Sequence, residues 1–431
     1  MSNINVIGAG LAGCEAAWQI AKRGLSVNLY DMKPGKLSPA HSDPNLCELV
    51  CSNSLKSDDV YTASGLLKEE LRKFDSLVLR CADKCRVPAG GALAVDRKKF
   101  SGVVTGEIKS NKLINVIEKE VTSIKKEDIN IIASGPLTSQ AFAEYISDIC
   151  GGCLSFFDAA APIITAESID MSRAFFACRY GKGNSSDYLN CPMSEQEYKN
   201  FYNELINAQR APIKDFDILD SKVYEGCMPV EVMASRGMDA LRYGPMKPVG
   251  LRDPKTGSGA FAVVQLRKED CEGSLYNMVG FQTNLKFGEQ KRVFGMIPAL
   301  KNAEIVRYGV MHRNTFINSP RLLDADYSMR SNKKILFAGQ ITGTEGYMES
   351  VSSGIVAGVN AALTYRKLNP LIFPCETMIG ALAAYISNKA IKDFQPMGAN
   401  FGILPPLEDK IRDKKQRKAE MAKRSLNLIE R

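Results

Sequence analysis

Histidine is nearly absent, with His41 and His312 the only two in 431 residues. That scarcity rules out a histidine-built metal centre, so no metal is expected. A Ser-His-Asp hydrolase finds no support either, because no GxSxG nucleophile elbow accompanies the two. No apolar run reaches about 18 residues, so neither a membrane span nor a membrane partner is expected. The chain opens directly on an apolar strand pattern, which leaves no room for a signal peptide. Internal repeats and low-complexity tracts are missing. GxGxxG occurs once, so a nicotinamide cofactor would have no dinucleotide fold of its own and would have to visit and leave. The 12 cysteines are scattered singly, which suits free thiols in a reducing, cytoplasmic setting.

The most informative stretch is residues 4–31. An apolar run (Ile4, Val6, Ile7) leads into Gly8-Ala9-Gly10-Leu11-Ala12-Gly13, a helical segment, and a second apolar run ending at Asp31. Strand, glycines, helix, strand and terminal acid in that order make a dinucleotide-binding βαβ unit. Gly8 allows the tight turn, Gly10 lets backbone approach a pyrophosphate, and Gly13 lets helix and strand pack closely. N–H groups at the helix start attract phosphate, and Asp31 is placed to accept a ribose hydroxyl.

A second segment, residues 334–363, suits the far end of an extended FAD. Ile335-Leu336-Phe337-Ala338 reads as a buried strand ended by Gly339, with Gln340 where many FAD proteins carry Asp. From Glu349 and Ser350 a small-residue helix carries Gly354 and Gly358 four apart, which permits close packing. Ile129-Asn130-Ile131-Ile132-Ala133-Ser134-Gly135-Pro136 reads as another sheet strand leaving through a glycine turn. Residues 161–305 differ in texture, with short β-like runs and Gly-Pro turns, and read as a domain inserted between 1–160 and 306–431. Net charge is +8. Residues 410–424 hold eight basic and two acidic side chains, a local +6, and this basic helix is either a solvated face or a surface tracking RNA phosphates.

Two cysteine contexts stand out. Cys51 lies in Glu48-Leu49-Val50-Cys51-Ser52-Asn53-Ser54, where Ser-Asn-Ser can cap a following helix and lower the thiol pKa. Cys227 sits between Gly226 and a Met-Pro turn, a loop-like spot for a residue usually found in cores. Cys14, Cys178 and Cys271 read as core filler. Cys150-Gly151-Gly152-Cys153 lacks the second pair a zinc site needs. It also does not open a helix after the first βαβ unit, as a redox pair would.

Taken with VIGAGLAGCEAAWQIAKRG, ELVCSNSLKS, VPAGGALAVDR, EGCMPVEVMASRG, YNMVGFQTNLKFGEQ, RYGVMHRNTFINSP and AGQITGTEGYMES, the chain resembles the folate- and FAD-dependent tRNA (uracil-5-)-methyltransferases nearly end to end. These are smaller relatives of the GidA-type flavoproteins, whose additional C-terminal helical region this chain is too short to hold. The resemblance implies an α/β fold with a Rossmann-like, glutathione-reductase-like FAD-binding domain and an inserted α+β domain. It implies an enzyme that moves one carbon from 5,10-methylenetetrahydrofolate to C5 of a T-loop uridine, with FAD as reductant and NAD(P)H recharging it. By motif, Cys51 is the nucleophile and Cys227 the base, two roles that can be exchanged because both are thiols. Gly8 to Gly13, Asp31, Gly339, Gln340, Glu349 and Ser350 would hold the cofactor. Tyr347, Phe287, His312, Arg313 and Asn314 would meet substrate, with Tyr347 stacking on the pterin. Lys410, Arg412, Lys414, Lys415, Arg417 and Lys418 would meet RNA.

Three positions depart from the family pattern: Asp31 replaces the usual Glu, while Asn284 and Phe287 stand where His and Trp are expected. Asn284 cannot act as acid or base, and Phe287 loses the indole donor. These changes bear on substrate choice, so ribosomal RNA stands beside tRNA as a target. Two other classes compete: a flavin-dependent NAD(P)H oxidoreductase on a small molecule, and a non-catalytic flavin-bearing RNA scaffold. Monomer and homodimer are both compatible with the sequence.

Overall fold

A computed structural model describes residues 3–38, 40–181, 184, 186–212, 228–254 and 256–430, leaving aside the side chains of 155–158, 312 and 313. Cys227 therefore lies outside the described residues. The expected βαβ unit forms: β1 (Ile4–Ile7), α1 (Leu11–Lys22) and β2 (Val27–Asp31), with β1 and β2 parallel. All four β1 residues are buried, as a strand covered on both faces requires. Helix α2 (Ala63–Lys73) packs outside the sheet, and β3 (Ile114–Glu118) adds beside β2. The expected strand β4 (Ile129–Ile132) pairs with the other edge of β1 and leads toward α3 (Gln140–Cys150).

The chain then crosses to a second layer on β5 (Leu154–Ala159). Strands β6 (Ile163–Thr165), β7 (Tyr188–Met193), β8 (Ala262–Lys268) and β9 (Leu275–Met278) build an antiparallel sheet in the order β7-β8-β9-β6. Phe175–Phe176 and Ile305–Arg307 flank it. This sheet has its own core, with Leu189, Phe201, Val264, Phe281 and Phe294 (on α4, Phe287–Phe294) all buried. The return strand β10 (Met311–Phe316) pairs antiparallel with β5, so exit and re-entry run side by side.

Back in the first layer, β11 (Asn332–Phe337) pairs parallel with β4, giving the order β11-β4-β1-β2-β3 with Ser328–Met329 outermost. Helix α5 (Tyr347–Tyr365) lies on α1. A Cβ on Gly354 would sit 2.4 Å from the Ala12 carbonyl oxygen, and one on Gly358 2.7 Å from that of Ala16, so the small-residue spacing does set this close approach. Helices α6 (Met378–Ser387) and α7 (Lys414–Ile429) complete the layer against α2. No described helix is long and apolar enough to cross a membrane.

Candidate active site

The glycine loop shapes one wall of the site. Gly8 has φ +100°, and a Cβ there would stand 2.5 Å from the Ala133 carbonyl oxygen. At Gly13 it would stand 1.8 Å from that of Gly8. At Gly10 it would meet nothing within 4 Å, because Gly10 faces an open cleft. The cleft encloses about 1210 Å³ including its mouth. Gly8, Gly10, Leu11, Ala12, Asp31, Gly339, Gln340, Cys51, Tyr347 and Ser350 line it together with residues 133–139. The start of α1, a carboxylate at the end of β2 and the Gly339 turn at the end of β11 thus share one space. Backbone N–H groups at a helix start and a glycine cradle that a Cβ would fill fit the pyrophosphate of an extended FAD.

Asp31 ties two segments together. One carboxylate oxygen accepts from Ala9 N at 2.7 Å and the other from Lys33 N at 2.9 Å, which fixes the glycine loop to the end of β2. The neighbouring His41 also lines the cleft, with Nδ1 2.6 Å from Ser38 Oγ. Burial, then Lys33, push its pKa down, which favours the neutral ring.

Cys51 lines the same cleft, but not at a helix N-terminus. The expectation that Ser52-Asn53-Ser54 caps a helix is corrected here: Ser54–Ser57 is a strand, and α2 starts later, capped by Thr62. Asn53 is fully buried because distant groups claim its amide: Nδ2 donates to Val95 O and Lys268 O, and Oδ1 accepts from Arg267. Arg97 donates to Leu49 O and Val50 O and forms a bidentate pair with Glu269. Tyr347 Oη accepts from Cys51 N at 3.0 Å and Ser52 N at 3.3 Å. Burial holds its phenol protonated far above neutral pH. None of these anchors was read from the sequence. The one signal was an arginine, Arg267, closing the apolar run Ala262–Leu266 of β8.

The remaining expected residues divide. Glu349 is not on the cleft wall: one oxygen takes Lys56 Nζ at 3.1 Å and Ala399 N at 3.0 Å, and the other finds no partner. Phe287 is 55% exposed and stacks on Tyr308, centroids 4.6 Å apart, in the second layer. Asn284 donates its backbone N–H to the Glu231 carboxylate and its side-chain amide to Ala211 O. His312 and Arg313 lie on β10, as does Asn314, whose buried amide has no partner. Lys410, Arg412, Lys414, Lys415 and Arg417 are exposed, with no ion pair to any of them among the described residues. Lys418 sits over the Phe401 ring at 5.5 Å. Cys150 is buried at the end of α3.

A two-layer chain with this glycine loop and cleft is a flavoprotein of the Rossmann-like α/β class. The family described as glucose inhibited division protein A matches residues 3–369. Proteins named "Methylenetetrahydrofolate--tRNA-(uracil-5-)-methyltransferase TrmFO" match along the whole chain. The one from Acetivibrio thermocellus is 60% identical over 427 residues, 99% of this chain and 97% of its own. The one from Desulfitobacterium hafniense is 56% identical over 431 residues, 100% of this chain and 98% of its own. Among solved structures, GidA of Aquifex aeolicus (form II crystal) superposes with a TM-score of 0.71 at 14% identity, covering 100% of this chain and 73% of that one, a likeness of fold. The chain belongs to the glucose inhibited division protein A family, in the branch that holds these methyltransferases.

Proposed function

We propose that this chain transfers one carbon from 5,10-methylenetetrahydrofolate to C5 of a tRNA uridine and reduces it to a methyl group. The observation that carries this reading is that Cys51 shares one cleft with the phosphate-binding glycine loop and the Gly339 turn, in a chain 60% identical to a named relative. FAD, when bound, supplies the electrons for the methylene-to-methyl reduction, with NAD(P)H as their source.

The chain's own residues do the rest. Gly8 to Gly13, Asp31, Gly339, Gln340 and Ser350 hold the dinucleotide, while Glu349 braces the start of α5 from behind. The Cys51 thiolate adds to C6 of the uracil, which places negative charge on C5 and lets it take the one-carbon unit. The Cys227 thiolate then removes the C5 proton as the carrier nitrogen leaves the one-carbon unit, two electrons and a proton turn the exocyclic methylene into methyl, and expulsion of the first sulfur restores the ring. The two thiols are interchangeable in this scheme. Tyr347 and residues 312–314 border the substrate, and the exposed Phe287–Tyr308 stack offers a base a flat partner. The division 1–160, 161–305 and 306–431 gives the FAD layer two pieces and the RNA face one, with the 410–418 cations tracking phosphate. A tRNA and folate reaction also implies a cytoplasmic setting.

The test combines the FAD-loaded protein, NADH or NADPH, methylenetetrahydrofolate and unmodified tRNA transcript, scored for 5-methyluridine. Product that appears with S-adenosylmethionine and no folate rejects the mechanism, and product on ribosomal RNA alone moves the target. 5-Fluorouridine RNA should be trapped covalently, and the trap should vanish in Cys51→Ala. A trap lost only in Cys227→Ala exchanges the two roles.

A further inference from the structure

The cleft wall bearing Cys51 makes little regular backbone pairing of its own. Across residues 49–53, polar groups are instead held by three side chains far away in sequence. Arg97 takes the carbonyls of Leu49 (2.7 Å) and Val50 (3.1 Å). Tyr347 takes the amides of Cys51 and Ser52. Arg267 takes Ser52 Oγ and Asn53 Oδ1, both at 2.9 Å. Arg267 lies on β8 of the second layer, and Glu269, the partner of Arg97, follows at the end of that strand.

These charged groups are shielded, with Arg97 13% and Glu269 4% exposed as side chains and Arg267 6% exposed. A buried guanidinium is costly unless its donors are used. Arg97 uses its own on both loop carbonyls and on both oxygens of the carboxylate. The planar fork does what a lysine ammonium cannot, because it reaches two loop carbonyls and a carboxylate in one fixed geometry. The second layer also rests on the first nearby, through Gly90 N to Asp187 (2.7 Å), Tyr188 Oη to Ala89 O (3.1 Å) and Cys271 N to Asp96 (3.3 Å).

We propose that Arg267 and the Arg97–Glu269 pair are positioning residues for the Cys51 thiol, so that the reactive loop takes its working shape only while the end of β8 is seated against it. The inference rests on the proposed role of Cys51 and adds how that sulfur is aimed. The two arginines thereby add a charged link between the second layer and the thiol's segment to the backbone contacts at Lys268, Gly90, Ala89 and Cys271.

The test uses the FAD-loaded full chain. Arg97→Lys and Arg267→Lys keep the charge and lose the fork, and Glu269→Gln keeps the shape and loses the ion pair. Misplacement of a reactive group by about 1 Å can cost on the order of a hundredfold. Each variant should therefore lower kcat by about ten- to a hundredfold, leave KM for tRNA within about twofold, and retain its flavin absorbance. Site-resolved alkylation should change several-fold at Cys51 relative to the exposed Cys375, and Ser52→Ala combined with Arg267→Lys should be non-additive. If one arginine variant fails to fold, Glu269→Gln decides. Folded, flavin-bearing variants with unchanged kcat and an unchanged Cys51-to-Cys375 ratio overturn the proposal. Full turnover in Cys51→Ala would instead defeat the functional reading, while the alkylation ratio still reports whether the arginines shape the loop.

Discussion

Gly10 and Gly13 sit three residues apart, yet substitutions at them should fail differently. Gly13→Ala drives a methyl to 1.8 Å from the Gly8 carbonyl oxygen, so the loop must move, and both folding stability and flavin content should fall. Gly10→Ala meets no protein atom. Its unfolding free energy without cofactor should stay within about 1 kcal/mol of wild type, while its FAD affinity, measured by equilibrium dialysis, should drop. Unchanged FAD affinity in Gly10→Ala would mean that the open side of Gly10 is not where phosphate lies. Tyr347→Phe removes the acceptor of two amides and should cost about 1–3 kcal/mol in chemical denaturation. The glycine loop was legible because each glycine's reason lies within a few residues or on the adjoining strand. The Cys51 loop was not, because its partners stand up to 296 positions away.

Among the elements, close packing on the Gly354–Gly358 face of α5 was foreseeable from spacing alone, though not that α1 is what packs there. Gly354→Ala should overpack that seam and lower stability by about 1–3 kcal/mol, checked by denaturant titration. What spacing could not show is the buried carboxyl that ties three helices. Glu70 on α2 accepts from Met378 N (2.7 Å) and Ile379 N (2.8 Å) at the start of α6, and from the hydroxyl of Ser425 on α7. Burial pushes its pKa up to about 7. The folded state therefore binds this proton more tightly than the unfolded chain does. The stabilisation is full below about pH 4.5 and is lost as pH rises toward 7, at up to about 1.4 kcal/mol per unit. Glu70→Gln, which mimics the protonated acid, should flatten this slope. Its stability should gain on wild type between about pH 5 and about pH 8, and parallel profiles would refute the assignment.

For the molecule as a whole, the Rossmann-like α/β class was legible from the two cofactor segments. The placement of several side chains that the motifs singled out was not. Phe287, Asn284 and Glu349 sit where their own neighbours, not the motif, decide whether they face solvent, backbone or a lysine. Helix α7 is anchored by Met421, Ala422 and Ser425, which leaves the 410–417 cations outward. Reversing Lys414, Lys415 and Arg417 to Glu should weaken tRNA binding and flatten its salt dependence by about 0.9 for each phosphate no longer neutralised, without changing flavin content. Unaltered binding would make α7 a solvated face.

The ribbon of β5 and β10 sets Met311 opposite Ala159 and Phe316 opposite Leu154, so the chain departs and comes home through adjoining doorways. A middle region hung in this way can be exchanged as a cassette without rethreading the nucleotide-binding half. The newcomer must, however, bring its own arginine and glutamate to grip the thiol's segment, or the host keeps its flavin and loses its chemistry.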